Sequence, residues 1–549
     1  MERRLVHLGD QLGRGFISRR EFLRRAVILT GSAAAASAAL AACSSPTPGV
    51  APASAPAASG RPAGAPKLGG TLISARTADT AGLDPQLDGL LARVRISPLM
   101  YSNVVKLGFD LSIQPDLAES WEVKDDGKTI VFKLRQGVTW HPPINREFVA
   151  DDVKYSYGRL LKESAGKGLF ASIKDIEAVD KYTVAFHLTE ANGGLLASMA
   201  DPQWGHIVNR EAIETYGDLH KKAVGTGPFI LEEWIPDQET RLRKNPNYFV
   251  KGRPYIDRLV LRIIPEESAI VAALRTDNVH HAMLEDNKNF DLLKNERNLT
   301  SYRSTRLGFD HMVINHKAPP FDKQQVREAL SWAIDREEII KAATQGYGQL
   351  TAPLTAALKP WQLPKDAWTP FYKPDPERAK KLLAEAGLPN GFKTTLTLMP
   401  TFPTMVASAP VIQSNLKRVG IDVEIQAVES GAMLKRWLAK DFSLNMNLTG
   451  GGADPDGVLG RMFYSKGENW PNWQASDIDK LLDEGRGTFD VAKRKAAYDQ
   501  VQLQLLQRAA LIWTFAGEQI DFTQGYLKGF QQHPKTSLSS FDEMWLDKP

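Results

Sequence analysis

Residues 392–425 read as strand, helix, strand: Phe392–Met399, a helix near Pro410–Val419, then Gly420 and Ile421–Ile425. Such a unit brings its two strands parallel through a right-handed crossover, and therefore requires a sheet with helices packed on it. A helix around Met433–Ala439 and a strand at Asp441–Asn447 continue the alternation. Upstream, Asp335 stands three residues before Glu338, a capping-box spacing that opens a helix at Arg336. Asp375 and Pro376 supply a cap and a first-turn proline for Glu377–Ala386, with Gly387 as the stop. In the first half, Lys67–Ser74, Thr129–Leu134, Tyr182–Leu188 and Arg258–Ile264 read as strands, while Val153, Tyr157, Leu160 and Leu161 share one helical face. The fold class is mixed α/β, with no short-period repeat.

At 549 residues the chain exceeds what one core normally serves, so two or more domains are expected. The formal net charge of +4 sits in the N-terminus. Residues 1–42 hold seven of the 68 basic and three of the 64 acidic residues, which leaves 61 of each beyond them. A balanced chain carries no electrostatic footprint for nucleic acid. A single cysteine, Cys43, excludes intrachain disulfides and Cys-rich metal sites, so stability must come from burial in large cores.

Residues 1–42 are expected to be an export signal. Arg19 and Arg20 precede Phe22-Leu23, and an Ala-rich apolar run from Ala26 ends at Leu40-Ala41-Ala42-Cys43. The run is short, weakly hydrophobic and closed by small residues, which suits cleavage rather than a permanent span. The paired arginines resemble a twin-arginine signal, whose translocase accepts folded chains, and the ending resembles a bacterial lipobox. That resemblance implies lipidation of Cys43 and attachment to a membrane surface, on the periplasmic or outer face of the cell. Residues 43–66, almost wholly Ser, Pro, Ala, Gly and Thr, are then a flexible tether.

Three blocks in a fixed order carry a family resemblance. The first runs from Leu117-Ala118-Glu119-Ser120-Trp121 through Gly137-Val138-Thr139-Trp140-His141 to Ala150-Asp151-Asp152-Val153. The second is Gly225-Thr226-Gly227-Pro228-Phe229 with Asn245-Pro246-Asn247-Tyr248, and the third is Pro320-Phe321-Asp322 through Ala333-Ile334-Asp335-Arg336. Over residues 67–549 the chain resembles extracytoplasmic solute-binding proteins of family 5, which serve peptide and nickel ABC importers. The resemblance implies a two-lobed periplasmic-binding-protein fold of type II, with an extra subdomain in lobe one and two hinge crossings. Lobe one is expected over 67–312, lobe two over 313–514, and a C-terminal return to lobe one over 515–549. The implied function is capture of a small solute by hinge closure and delivery to a membrane permease, by a monomer, with no cofactor, metal or bond chemistry.

The resemblance also locates ligand-binding candidates. In dipeptide binders of the family a carboxylate in a Gly-Asp segment holds the peptide ammonium. Aligned on Asp454-Pro455-Asp456, that position falls here on Gly451, between Gly450 and Gly452. The loop that often supplies an Arg and a Tyr for the peptide carboxylate reads Met399-Pro400-Thr401-Phe402. Both ionic clamps are missing from these loops, and a free dipeptide without paired charges loses more hydration than it regains. A longer peptide, another bulky solute or an oligosaccharide is expected instead. Asp454 or Asp456 is the candidate substitute anchor, against a plain turn role. Phe402, Trp437, Trp470 and Trp473 are candidate stacking planes, against ordinary core positions. Asp79 and Thr80, after the opening strand, are candidates on lobe one, against a solvated turn.

Enzyme chemistry finds little support. His280-His281 and His311 with His316 lack the helical i, i+4 spacing with Glu of a zinc hydrolase, and there is no nucleophile elbow, P-loop or dinucleotide fingerprint. The rival class is a secreted enzyme folded around a cofactor before export. A second rival is a binding protein that serves a sensor or chaperone instead of a permease.

Overall fold

The computed structural model describes residues 65–548 apart from Asp88. The signal with Arg19 and Arg20, Cys43, and the tether up to residue 64 lie outside the described residues.

Three sheets organise the remainder. A seven-stranded sheet has the order Leu299–Thr305, Glu518–Gln524, His281–Leu284, Thr71–Arg76, Arg258–Ile263, Glu239–Lys244, Phe229–Ile235. Its centre is parallel: Thr71–Arg76 lies in register with Arg258–Ile263 on one side and pairs His281–Ala282 on the other. The outer strands are antiparallel. Apolar side chains cover both faces, with Leu72, Leu259 and Leu261 in one cluster and Ala75, Ile520 and Phe522 in another. This two-sided burial explains why its central strands alternate poorly in sequence.

An antiparallel four-stranded sheet, Ala118–Lys124, Thr129–Leu134, Thr183–Leu188 and Ile173–Asp180, stands beside it as a separate layer. The helix Ala150–Glu163 packs on this sheet, burying Val153, Tyr157 and Leu160. Tyr157 meets Phe186 edge-on at 5.0 Å between ring centroids. The helical face expected from spacing is therefore the face that is buried.

The five-stranded sheet has the order Ile421–Ala427, Phe392–Leu398, Leu444–Thr449, Phe309–Ile314, Leu511–Phe515. Phe392–Leu398 and Ile421–Ala427 pair in parallel over seven residues, joined through the helix Pro403–Lys417, as the strand–helix–strand pattern requires. That helix starts earlier than its sequence pattern indicates, because Pro403 at its first position suits a helix start. Asp335 accepts from the amides of Glu337 and Glu338, and Asp375 from Arg378, so both expected caps form.

The chain leaves the seven-stranded sheet after Thr305 and enters the five-stranded sheet at Phe309. It returns between Phe515 and Glu518. Only these two short crossings link the sheets through strands, and they run side by side, since Arg306 donates its amide to the Gly517 carbonyl at 3.0 Å. The molecule is an α/β protein of two lobes.

Candidate functional site

The crossings form the floor of a cleft of about 970 Å³ whose walls come from both sheets. The first-lobe wall carries Arg95, from the helix Leu91–Met100, and Glu285, just past the strand His281–Leu284. The other wall carries Asp310, from Phe309–Ile314, Phe402 and Thr404 at the start of Pro403–Lys417, and Leu448 to Gly450. Arg306 belongs to the crossing itself, and Lys535 and Thr536 close one end. A second chamber of about 570 Å³ is lined by Gly451, Gly452, Asp454, Asp456, Trp204 and Arg461 among others.

Charge in the main chamber is arranged around Glu285. Its carboxylate accepts from Arg95 at 2.8 Å and from Arg306 at 2.7 Å. Burial would raise this carboxyl, but the two guanidinium groups outweigh it and hold the group down to about 2. Asp310 stands in contrast. Its one side-chain hydrogen bond comes from the Thr404 hydroxyl at 2.8 Å, and burial raises its carboxyl to about 6, against smaller opposing effects from that bond and from Arg306. A third charged contact spans the chambers: Lys535 pairs with Asp201 at 2.9 Å and reaches the Gly451 carbonyl at 3.4 Å.

Gly451 has φ +68°, and a Cβ there would collide with the Leu307 carbonyl oxygen. Its lack of a side chain is thus explained by backbone conformation and by close approach to the crossing strand. Gly450 lines the main chamber and Gly452 the second. Asp454 is buried and held by both terminal nitrogens of Arg494, at 2.8 and 2.7 Å, and Asp456 is gripped by Arg486 at 3.0 Å through two bonds. Neither carboxylate is available as a free anchor.

Phe402 does line the main chamber. The three tryptophans line neither chamber. Trp470 and Trp473 are 4% and 6% exposed, and their indole nitrogens donate to Glu468 and to the Phe463 carbonyl. Trp437 stacks on Phe442 at 5.4 Å and meets Trp470 edge-on. Core packing therefore accounts for all three. The loop that carries Trp470 and Trp473 turns inward because Asn469 and Asn472 both take positive φ, a conformation asparagine tolerates. Asp79 is likewise engaged, accepting from the Trp234 indole at 2.9 Å and the Asp237 amide at 3.0 Å, while the Thr80 hydroxyl donates to Gly82. These residues fasten a loop to the strand Phe229–Ile235 and do not face the cleft chambers.

No local spacing marks Arg95, Glu285, Arg306 or Asp310, which come together only in the folded chain. The histidines are structural. His281 lies between Asp521 at 3.1 Å and Ser74 at 2.9 Å, and His316 reaches the Ala510 carbonyl. No group of side chains suited to a metal ion occurs among the described residues.

Two sheet-based lobes, paired crossings and a large cleft of mixed apolar and charged lining between them define a two-lobed binding protein. The sequence profile of bacterial extracellular solute-binding proteins, family 5, matches residues 112–470, and the chain belongs to that family. It is 31% identical over 481 residues to the dipeptide-binding protein of Escherichia coli, covering 80% of this chain and 88% of that one. Heme-binding protein A of Haemophilus influenzae is 30% identical over 463 residues, covering 77% and 82%. Among solved structures, the periplasmic binding protein DppA of Helicobacter pylori in complex with the peptide STSA superposes with a TM-score of 0.74 at 28% identity, covering 88% of this chain and 99% of that one. The chain is a substrate-binding protein and not an enzyme. No described helix is long and apolar enough to cross a membrane.

Proposed function

We propose that this protein is the lipid-anchored receptor of an ABC importer, and that it captures oligopeptides in the cleft between its lobes. The size and make-up of the main chamber carry this reading. A volume of about 970 Å³ lies at the top of the roughly 300–1,000 Å³ range of small-molecule sites. Its walls mix apolar surface from Leu91, Val94, Phe309, Phe402 and Leu448 with charges of both signs. A peptide presents that same mixture, whereas a free dipeptide would leave most of the chamber filled with water. An oligosaccharide fits less well, because the three tryptophans it would stack on are spent inside the second lobe and leave only phenylalanine rings such as Phe402 in the chamber.

The topology supports hinge closure. The two short crossings at 306–308 and 516–517 would serve as the hinge, the lobes also meet where the Gly193 amide donates to the Arg486 carbonyl at 2.8 Å, and a solute that touches both walls favours the shut form by its differential affinity. The permease would recognise that shut form. A mixed peptide library of three to six residues should raise the melting temperature and reduce the radius of gyration in small-angle scattering, with every retained peptide recovered intact. An unchanged scattering curve under saturating library, or hydrolysed peptide, would refute the reading.

Cys43 is proposed as the lipid attachment point, with export directed by Arg19 and Arg20. Cys43→Ala should move the protein from the membrane fraction to the soluble fraction of its native host. Persistence in the membrane fraction would show that another element anchors it.

A further inference from the structure

We infer that Asp310 and Thr404 form the receptor for a primary ammonium group of the captured peptide. The inference rests on the peptide reading above and adds the residue that selects its charged end.

Asp310 lies on the second-lobe wall of the main chamber, on the strand Phe309–Ile314, opposite Leu448 in the adjacent strand Leu444–Thr449. It therefore sits one strand across from the glycine run at 450–452, where side chains are absent. On its other side, pairing with Leu511–Phe515 is irregular between Asp310 and His311. Bulges of this kind re-aim a side chain next to a functional site. Thr404, from the first turn of the neighbouring helix, fixes the carboxylate through one hydrogen bond at 2.8 Å.

Satisfaction of the neighbouring charges is the second strand of the argument. Glu285 holds two guanidinium groups, Asp201 holds Lys535, Asp454 holds Arg494 and Asp456 holds Arg486. Among the described residues Asp310 has no ion-pair partner; Glu267 and Asp286, the other unpaired carboxylates of the main chamber, accept backbone amides, three donors in all for Glu267, whereas Asp310 accepts from one hydroxyl alone. Arg306, its nearest cation by electrostatic effect, is already bonded to Glu285. A carboxylate aimed into a cleft with one neutral hydrogen bond is incompletely solvated, and burial accordingly raises its proton affinity. An ammonium group brings three donors and a full positive charge to that position, and the bonds it makes there are of the charge-assisted kind.

The test uses a tetrapeptide library lacking lysine, offered to the full-length protein with free amino termini or with every terminus acetylated. A third arm is the acetylated library with lysine at one position. Mass spectrometry of the retained peptides is expected to show about tenfold or greater enrichment of free-amine over acetylated members. Asp310→Asn should remove that enrichment while capture of acetylated members continues, and Asp310→Glu should restore part of it. Without ligand, Asp310→Asn should melt no lower than the parent, since it removes an incompletely solvated charge and keeps the shape. Enrichment confined to the lysine arm would keep Asp310 as the receptor and assign the ammonium to a side chain. Equal retention of free and acetylated libraries by the parent protein would overturn the assignment and leave peptide capture intact. Retention of no library at all would overturn the peptide reading, and this inference with it.

Discussion

Arg494→Met should destabilise the protein by about 3–5 kcal/mol in urea unfolding at neutral pH, the cost expected when a buried ion pair loses one member. Arg494 projects from the helix Val491–Gln507 and is 4% exposed; Asp454 is 7% exposed. Two parallel bonds join them, and the remaining Nε donates to the Gly485 carbonyl at 3.0 Å. Asp454 in turn accepts from the Asp456 amide, so the pair sets the backbone path of the glycine-rich segment that divides the two chambers. Methionine fills similar space and leaves the carboxylate uncompensated in a low-dielectric site. Burial already raises the Asp454 carboxyl even with Arg494 present, and removing the guanidinium raises it further. The deficit should therefore be larger at pH 8 than at pH 5, where the carboxyl takes up a proton. Adding Asp454→Leu to the same chain should recover most of the loss. If the single variant matches the parent at both pH values, the pair does not hold this segment.

The fold was far more legible in the sequence than the cleft. Thr129–Leu134 and Phe392–Leu398 appear as strands at or within one residue of where alternation and β-branched content put them. The caps at Asp335 and Asp375 form because the spacing of a helix start is a local property. Binding groups are not local. Arg95, Glu285, Arg306 and Asp310 belong to a helix, a loop, a crossing and a strand from distant parts of the chain, and no short-range pattern joins them. The tryptophans show the opposite problem: residues in a Pro- and Asn-rich loop look exposed, yet two asparagines at positive φ turn Trp470 and Trp473 into the core. The two ionic clamps sought at the glycine run and the Phe402 loop are absent there. Charges of both signs nevertheless enter the cleft from other elements, and this moves the question of selectivity from residues 399–402 and 450–456 to the crossing at 306–308 and Asp310 on the strand that follows it.

Mild acid should lower the protein's stability by several kcal/mol, with the loss beginning near pH 6.5. Five histidines, His141, His206, His311, His316 and His533, are buried and neutral. Burial lowers His141 and His533 to about 4 and His206, His311 and His316 to about 3. His206 has no hydrogen-bond partner on either ring nitrogen, so nothing in its surroundings accepts a second proton. In the unfolded chain each ring titrates near its ordinary value of about 6.5. Between that value and the folded one, the unfolded state binds more protons than the native state, and stability falls as pH falls. Asp310 and Asp542 work in the other direction: burial raises both to about 6, so the native state takes up protons first and gains stability as pH drops from about 6 toward 4. At pH 5 Asp310 and Asp542 return roughly 3 kcal/mol, and Asp116 and Asp454, whose carboxyls burial also raises, return more, against a cost from the five rings on the order of 10 kcal/mol. That cost, before any return, is comparable to the whole stability of a typical domain. The urea midpoint should thus be flat from pH 8 to 7, drop steeply between pH 6.5 and 5, and do so less in His206→Phe, which removes one of the five. A midpoint that holds constant down to pH 5 would mean that these rings accept protons in the folded chain.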